Sequence, residues 1–123
     1  MYILNKKDIV ALNQSVGEAG AFINENSLDF SLHFSKIKKN WLYKLSYLVQ
    51  SFLVDHVFQD GNKRTCFLVV VYYVEYHGKK VNKDRLLMII RRIAAKNITN
   101  PVQIVRLLYH VIKEKSSKLD RRE

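Results

Sequence analysis

Hydrophobic residues recur at helical spacing through the middle of the chain. One set recurs at steps of three and four residues: Trp41, Leu45, Leu48, Val49, Phe52 and Leu53. That spacing places the set on one face of a helix, which we predict to end near His56. Residues 66–76 are apolar on nearly every face, which a helix tolerates only when other elements surround it. The pattern therefore predicts a second helix at the centre of the fold.

Capping residues mark the ends of the other predicted helices. Asparagines stand at three expected N-caps, namely Asn5, Asn82 and Asn100. The first begins a short helix that Gly17 ends, and the second begins a helix of residues 83–96. The third precedes Pro101 at the first helical position, and Gln103 completes a capping box there. These signals predict helices on both sides of the central one.

The segment between the first helix and the long hydrophobic helix is ambiguous. Residues 17–27 are small and polar, which is typical of a loop. Residues 28–37 place apolar side chains at alternating positions, as a strand would, but the same side chains also satisfy helical spacing. Periodicity alone leaves both structures open for this segment.

Composition favours one helical domain. The chain has 123 residues with four glycines and one proline, and it contains no linker-like segment. A chain of this length buries about two-thirds of its unfolded-state surface in a single core. We predict an all-α fold over residues 1–115 and a charged, disordered tail over residues 116–123.

Net charge and cysteine content indicate the kind of partner that the protein binds and the cellular compartment that it occupies. A formal net charge of +10 indicates an acidic partner, although solvated helix faces also account for many of the lysines. The lone Cys66 excludes an internal disulfide and fits a reducing compartment. No signal peptide precedes the first helix, and no apolar run reaches the roughly 18 residues of a membrane span. We therefore expect a soluble cytoplasmic protein without a membrane partner.

Nine residues between the two central helices concentrate polar chemistry. They read His-Val-Phe-Gln-Asp-Gly-Asn-Lys-Arg, from His56 to Arg64. Gly61 allows the backbone to approach a ligand, and the helix that starts near Asn62 points unpaired N–H groups into the loop. Lys63 and Arg64 stand at the positive end of that helix, where cations are unfavourable unless an anion binds. The stretch therefore predicts a phosphate-binding loop.

The same stretch resembles the signature of the Fic/Doc family, His-x-Phe-x-Asp/Glu-Gly-Asn-Gly/Lys-Arg. The matching residues are His56, Phe58, Asp60, Gly61, Asn62, Lys63 and Arg64. The resemblance implies a compact helical bundle around a central buried helix, so it favours helix over strand for residues 28–37. It also implies a flap over the active site that holds the target's backbone as an added strand. We place this flap, with room for a short hairpin, at Gly20 to Asn26.

The resemblance implies a role for each matched residue. His56 would be the general base, because a neutral imidazole can take the proton of an attacking hydroxyl. Asp60 would bind Mg²⁺ together with phosphate oxygens, although Asp-Gly is also a common turn dipeptide. Phe58 would anchor the loop in the core, and Asn62 would partly cap the helix as well as orient a phosphate. The residues that would bind ATP, or another nucleoside triphosphate, are Gly61, Asn62, Lys63 and Arg64.

Two positions separate this chain from most AMP-transferring relatives. The common motif resembles Gly-Asn-Gly-Arg-x-x-Arg, whereas here Lys63 replaces the second glycine and Phe67 replaces the second arginine. Both departures resemble the death-on-curing branch. That branch implies a toxin kinase that phosphorylates a protein substrate, elongation factor Tu, and is silenced by an antitoxin. A self-inhibiting segment of the type Ser/Thr-x-x-x-Glu-Gly/Asn does not occur, so we expect a separate antitoxin.

Two other functions fit the same sequence. Transfer of AMP would use the same loop and differ in which phosphorus faces His56. A non-catalytic module could instead bind nucleic acid through a basic stretch: Lys79, Lys80, Lys83, Arg85, Arg91, Arg92 and Lys96. We expect weak nucleic-acid binding and favour the enzyme.

Overall fold

The computed structural model of the protein describes residues 4–37 and 40–114. These residues form six helices and one two-stranded sheet. The helices are α1 (Lys6–Ser15), α2 (Glu25–Ile37), α3 (Trp41–Leu53), α4 (Asn62–Tyr76), α5 (Lys83–Lys96) and α6 (Pro101–Val111), and the strands are β1 (Lys79–Val81) and β2 (Ile112–Glu114). The predicted all-α fold is confirmed. The tail predicted at residues 116–123 lies outside the described residues.

Helix α4 lies at the centre of the fold and packs against α1, α3 and α5. Its buried residues are Thr65, Cys66, Val69, Val70, Tyr73 and Val74. One face is nevertheless open, since Tyr72 and Tyr76 are 38% and 36% exposed. The sequence pattern overstated the burial of this helix because a tyrosine ring counts as apolar while its hydroxyl can face water.

An aromatic stack closes the C-terminal end of α4. His77 stacks on Trp41 at the start of α3, with ring centroids 4.3 Å apart. Burial and the nearby Lys44 lower the pKa of His77, and its Nε2 has no hydrogen-bond partner among the described residues. The neutral imidazole is therefore favoured, and this histidine acts as a packing group.

Asparagine side chains cap the starts of α1, α3, α5 and α6, at Asn5, Asn40, Asn82 and Asn100. At α1, Asn5 accepts from the N–H of Asp8, whose carboxylate accepts from the N–H of Asn5, so a capping box forms. At α6, Asn100 accepts from the N–H of Val102 at 2.9 Å and not from that of Gln103. The predicted capping box at α6 is therefore wrong, because the cap engages the second helical amide and not the third.

Residues 28–37 are helical, so the choice of helix over strand is confirmed. Leu28 and Ser31 face the core, whereas Phe30 is 57% exposed. The ring of Phe34 lies 4.0 Å from that of Tyr47 on α3. Apolar residues on both faces of α2 gave the sequence its strand-like alternation.

The short sheet was not predicted. β1 and β2 pair antiparallel, with Lys79 opposite Glu114 and Val81 opposite Ile112. The N–H of Asn82 also donates to the carbonyl of Val111 at 2.8 Å. Strands of three residues carry too little alternation to be recognised in a sequence. Their pairing ties the end of α6 to the turn that follows α4.

Two properties of the helices bear on function. Cys66 is completely buried, and burial raises the pKa of its thiol, so it acts as a core residue and not as a nucleophile. Within residues 4–37 and 40–114, no helix combines the length and apolar character needed to cross a lipid bilayer.

Candidate active site

The loop that follows α3 folds back onto the helix. The N–H groups of Val54 and Asp55 both donate to the carbonyl of Gln50, at 2.9 and 3.1 Å, and Val57 donates to Ser51 at 3.2 Å. His56, between them, has a φ of 55°. Positive φ is uncommon for a residue with a side chain and often marks a functional position. The turn leaves the imidazole exposed at the edge of a cavity.

Phe58 anchors the loop in the core, as predicted. Its side chain is 1% exposed. The ring stacks on Phe22 with centroids 5.2 Å apart, and the ring of Phe52 lies 6.3 Å away on the α3 side. The ring is buried between α3 and the segment before α2, and it therefore fixes the position of the loop relative to the core.

The predicted flap segment pairs with this loop. Phe22 and Phe58 form an antiparallel bridge. Ile23 and Asn24 donate to the carbonyl of Val57, at 2.8 and 3.1 Å, and residue 59 donates to the carbonyl of residue 21 at 3.0 Å. The prediction was wrong in two details, because residues 25 and 26 belong to α2 and because the segment pairs with the loop and not with itself as a hairpin. Residues 21–24 and the loop that follows α3 therefore form one hydrogen-bonded unit.

Asn62 braces the loop from the start of α4. Its Oδ1 accepts from the N–H of Phe58 at 3.0 Å, and its Nδ2 donates to the carbonyl of Phe58 at 2.8 Å. The N-cap of α4 is Gly61, which makes no side-chain cap. The partial capping role predicted for Asn62 is therefore wrong, because its amide is directed back to Phe58. This pair of bonds closes residues 58–62 into a compact turn.

Gly61 occupies a position that a side chain would not fit. Its φ is 78°, and an added Cβ would lie 2.6 Å from Cγ of Glu18 and 3.1 Å from Nδ2 of Asn13. Its carbonyl accepts the N–H of Thr65 at 2.8 Å and so starts the hydrogen bonding of α4. The glycine lets α1 and the loop after it approach the start of α4 closely.

Asn13 joins α1 to the loop and was missed in the sequence as a site residue. The side chain is completely buried. Its Nδ2 donates to the carbonyl of Asp60 at 2.9 Å and to Oγ1 of Thr65 at 3.1 Å, and its Oδ1 accepts from the N–H of Gly20 at 2.8 Å. One amide therefore positions the loop, the start of α4 and the entry to the flap. A polar residue within an otherwise apolar helix face was the available signal.

Arg64 is held by the end of α1. Its Nη1 donates to the carbonyl of Val16 at 2.6 Å, and its Nη2 forms an ion pair with Glu18. This carboxylate offsets the unfavourable position of a cation at the positive end of α4. Two guanidinium nitrogens are therefore engaged before any ligand binds, a role that the sequence analysis did not include.

The site residues predicted from sequence line one cavity of about 630 Å³, which is in the range of small-molecule binding sites. They are His56, Asp60, Gly61, Asn62, Lys63 and Arg64. The cavity walls also include apolar side chains of α3, α4 and α5: Phe52, Leu53, Phe67, Leu68, Leu87, Ile90 and Ala94. The arrangement combines a polar, cationic part at the start of α4 with a largely apolar part to which α5 adds one cation, Arg91.

Asp60 can supply one ligand to a magnesium ion. Its side chain lies on the cavity wall without a hydrogen-bond or ion-pair partner among the described residues. Those residues also bring no three His, Cys, Asp or Glu side chains together as a complete metal site. Mg²⁺ commonly uses one or two carboxylates with phosphate oxygens and waters, so a single carboxylate beside an anion site fits this ion.

The helical bundle therefore places a histidine, a carboxylate and the start of a helix around one cavity. A family model described as the Fic/DOC family matches residues 4–74, which is more than half of the chain. The protein belongs to the Fic/DOC family, whose members generally transfer nucleotide-derived groups to proteins. A comparison with curated proteins found no match.

We expect Asn13→Ala to destabilise the fold by about 2–4 kcal/mol, because it leaves three buried or half-buried polar groups without their partner. Urea unfolding followed by circular dichroism measures this change. Asn26→Ala is a matched control, since Asn26 is exposed on α2 and its substitution should change stability by less than about 0.5 kcal/mol. Equal losses in the two variants would contradict the role given to Asn13.

Gly61→Ala and Gly78→Ala separate backbone strain from steric contact. Both glycines have positive φ, at 78° and 76°, but an added Cβ at Gly78 would meet nothing within 4 Å. Gly78→Ala should therefore cost about 1–2 kcal/mol from strain alone. Gly61→Ala should cost more and disturb the Glu18–Arg64 pair. Similar unfolding free energies for the two variants would mean that the Glu18 side chain moves aside without cost.

Proposed function

We propose that the protein is a death-on-curing-like kinase that transfers the terminal phosphoryl group of ATP, or another nucleoside triphosphate, to a hydroxyl of a target protein. One observation carries this proposal. His56, Asp60 and Lys63 line the same cavity at the start of α4. A base, a carboxylate for Mg²⁺ and a cation beside a helix N-terminus are the groups that phosphoryl transfer needs.

The reaction assigns one task to each group. The acceptor hydroxyl attacks the terminal phosphorus while the imidazole of His56 takes its proton. The new bond joins the acceptor oxygen to phosphorus, the bond to the bridging oxygen breaks, and a nucleoside diphosphate leaves. The N–H groups at the start of α4 and the ammonium of Lys63 stabilise negative charge on the phosphates. Bound through Asp60, Mg²⁺ would supply further charge neutralisation.

The flap supports a protein as the acceptor. Residues 21–24 are held beside the catalytic loop by hydrogen bonds to residues 57 and 59. The side chain of Ile23 on this segment is 64% exposed. A target chain that adds to the flap as a strand would be held by main-chain hydrogen bonds, with its hydroxyl presented towards His56. We extend the proposal to a toxin with a separate antitoxin and with elongation factor Tu as target.

Lys63 favours phosphoryl transfer over AMP transfer. A glycine at this position leaves room for the backbone alone to surround the inner phosphates. A lysine adds a charged side chain to that space and disfavours the same pose, so that the terminal phosphoryl group faces His56. Which phosphorus stands opposite the acceptor decides the product.

The nucleic-acid alternative has less support. Of the seven basic residues that would form its surface, Arg91 lines the cavity whereas its neighbour Arg92 does not. A binding surface for a phosphodiester backbone would need the cations to point to one side. Weak, salt-sensitive nucleic-acid binding remains our expectation.

His56→Ala should lower the rate of transfer about 10²- to 10⁴-fold while nucleotide binding persists, because the imidazole acts on the acceptor hydroxyl. The protein is incubated with ATP, Mg²⁺ and a cell lysate, and the modified target is identified by the mass added to it. His110→Ala, a substitution of an exposed histidine on α6, controls for loss of a histidine elsewhere. Near-normal turnover of His56→Ala on a confirmed target would reject the mechanism.

Lys63→Gly should abolish kinase activity and permit some AMP transfer. The products distinguish the two reactions, since phosphorylated target appears with ADP and AMP-modified target appears with pyrophosphate. Lys83→Gly places a glycine at the exposed start of α5 and controls for the helix-weakening effect of glycine. AMP-modified target from the unmutated protein would reject the kinase assignment and leave the roles of His56 and Asp60 intact.

A further inference from the structure

Helix α5 presents one charged residue to the cavity within an apolar stripe. Leu87, Ile90, Arg91 and Ala94 all line the cavity and follow the i, i+3, i+4, i+7 spacing of a single helix face. Arg91 and the next residue, Arg92, are both exposed, and of the two Arg91 lines the cavity. Its place in the stripe therefore puts the Arg91 side chain on the cavity wall.

The charged side chains of the cavity indicate that a nucleotide would need a second phosphate-binding cation beside Lys63. Arg64 already donates to the carbonyl of Val16 and pairs with Glu18. Phe67, which also lines the cavity, contributes an apolar ring. Lys63 and Arg91 make no ion pair within the described part of the chain. A nucleoside triphosphate carries several negative charges, and a helix start with a single lysine offsets only part of them.

We propose that Arg91, contributed to the cavity lining by α5, is a phosphate-binding residue of the nucleotide site. The proposal rests on the proposed function, in which the cavity holds a nucleoside triphosphate. Arginine suits this position because its planar guanidinium binds two oxygens of one phosphate group at once. Leu87 and Ile90 on the same stripe then contact the less polar part of the nucleotide. Arg91 lies outside residues 4–74, the segment that matches the family.

The test compares Arg91→Gln with Arg92→Gln, which removes the same charge one position away. Binding of ATP, inorganic tripolyphosphate and adenosine is measured by isothermal titration calorimetry on the whole protein with Mg²⁺. Loss of a charge-assisted contact should weaken ATP and tripolyphosphate binding about 10-fold or more in Arg91→Gln. Adenosine binding should be unchanged, and Arg92→Gln should bind all three ligands as the unmutated protein does.

Each other outcome rejects the inference in a different way. Equal weakening in both variants would indicate a general effect of net charge. Weaker adenosine binding in Arg91→Gln, with tripolyphosphate unaffected, would place the guanidinium on the base. Unchanged binding of all three ligands in Arg91→Gln would remove Arg91 from the site while nucleotide binding itself stood. If the unmutated protein binds neither ATP nor tripolyphosphate, the proposed function is rejected, and the role of Arg91 is rejected with it.

Discussion

The hydrogen bonds of one buried amide hold the site together. Asn13 on α1 reaches the carbonyl of Asp60, the hydroxyl of Thr65 and the N–H of Gly20. These three groups belong to the loop between α3 and α4, to the central helix and to the segment that leads into residues 21–24. A buried amide is stable only when its partners are in place, so the three segments must assemble in one arrangement. The geometry around His56 therefore depends on a residue that lines no part of the cavity.

The end of α1 and the loop after it also compensate for positive charge at the start of α4. Lys63 and Arg64 stand where the dipole of α4 disfavours cations. The C-cap of α1 supplies the Val16 carbonyl to Arg64, and the loop after α1 supplies the Glu18 carboxylate. The remaining positive character at the start of α4 is left for a ligand. The end of α1 and the loop after it thus stabilise the start of α4, where Lys63 and Arg64 add two positive charges.

The sequence predicted most helices and the composition of the site, because both depend on local signals. Hydrophobic spacing identified α3 and α4, and a contiguous motif brought His56, Asp60 and Lys63 to attention before any fold was known. Contacts between distant residues could not be found in this way. Glu18 contacts Arg64, which is 46 positions away, and Asn13 contacts Thr65, which is 52 positions away. Neither contact produces a periodic pattern in the sequence. Arg91 was seen only as one of several surface cations, because the face it occupies depends on how α5 packs.

The division of the cavity between two parts of the chain has a consequence for ligand preference. The loop from His56 to Arg64 is tightly constrained, since a bridge to the flap, the Asn62 turn and a close approach at Gly61 all fix its backbone. Helix α5 contributes another part of the cavity lining, and none of the contacts just described involves its side chains. Under the proposed function, single substitutions on α5 can therefore change ligand preference while the backbone of residues 56–64 stays in place.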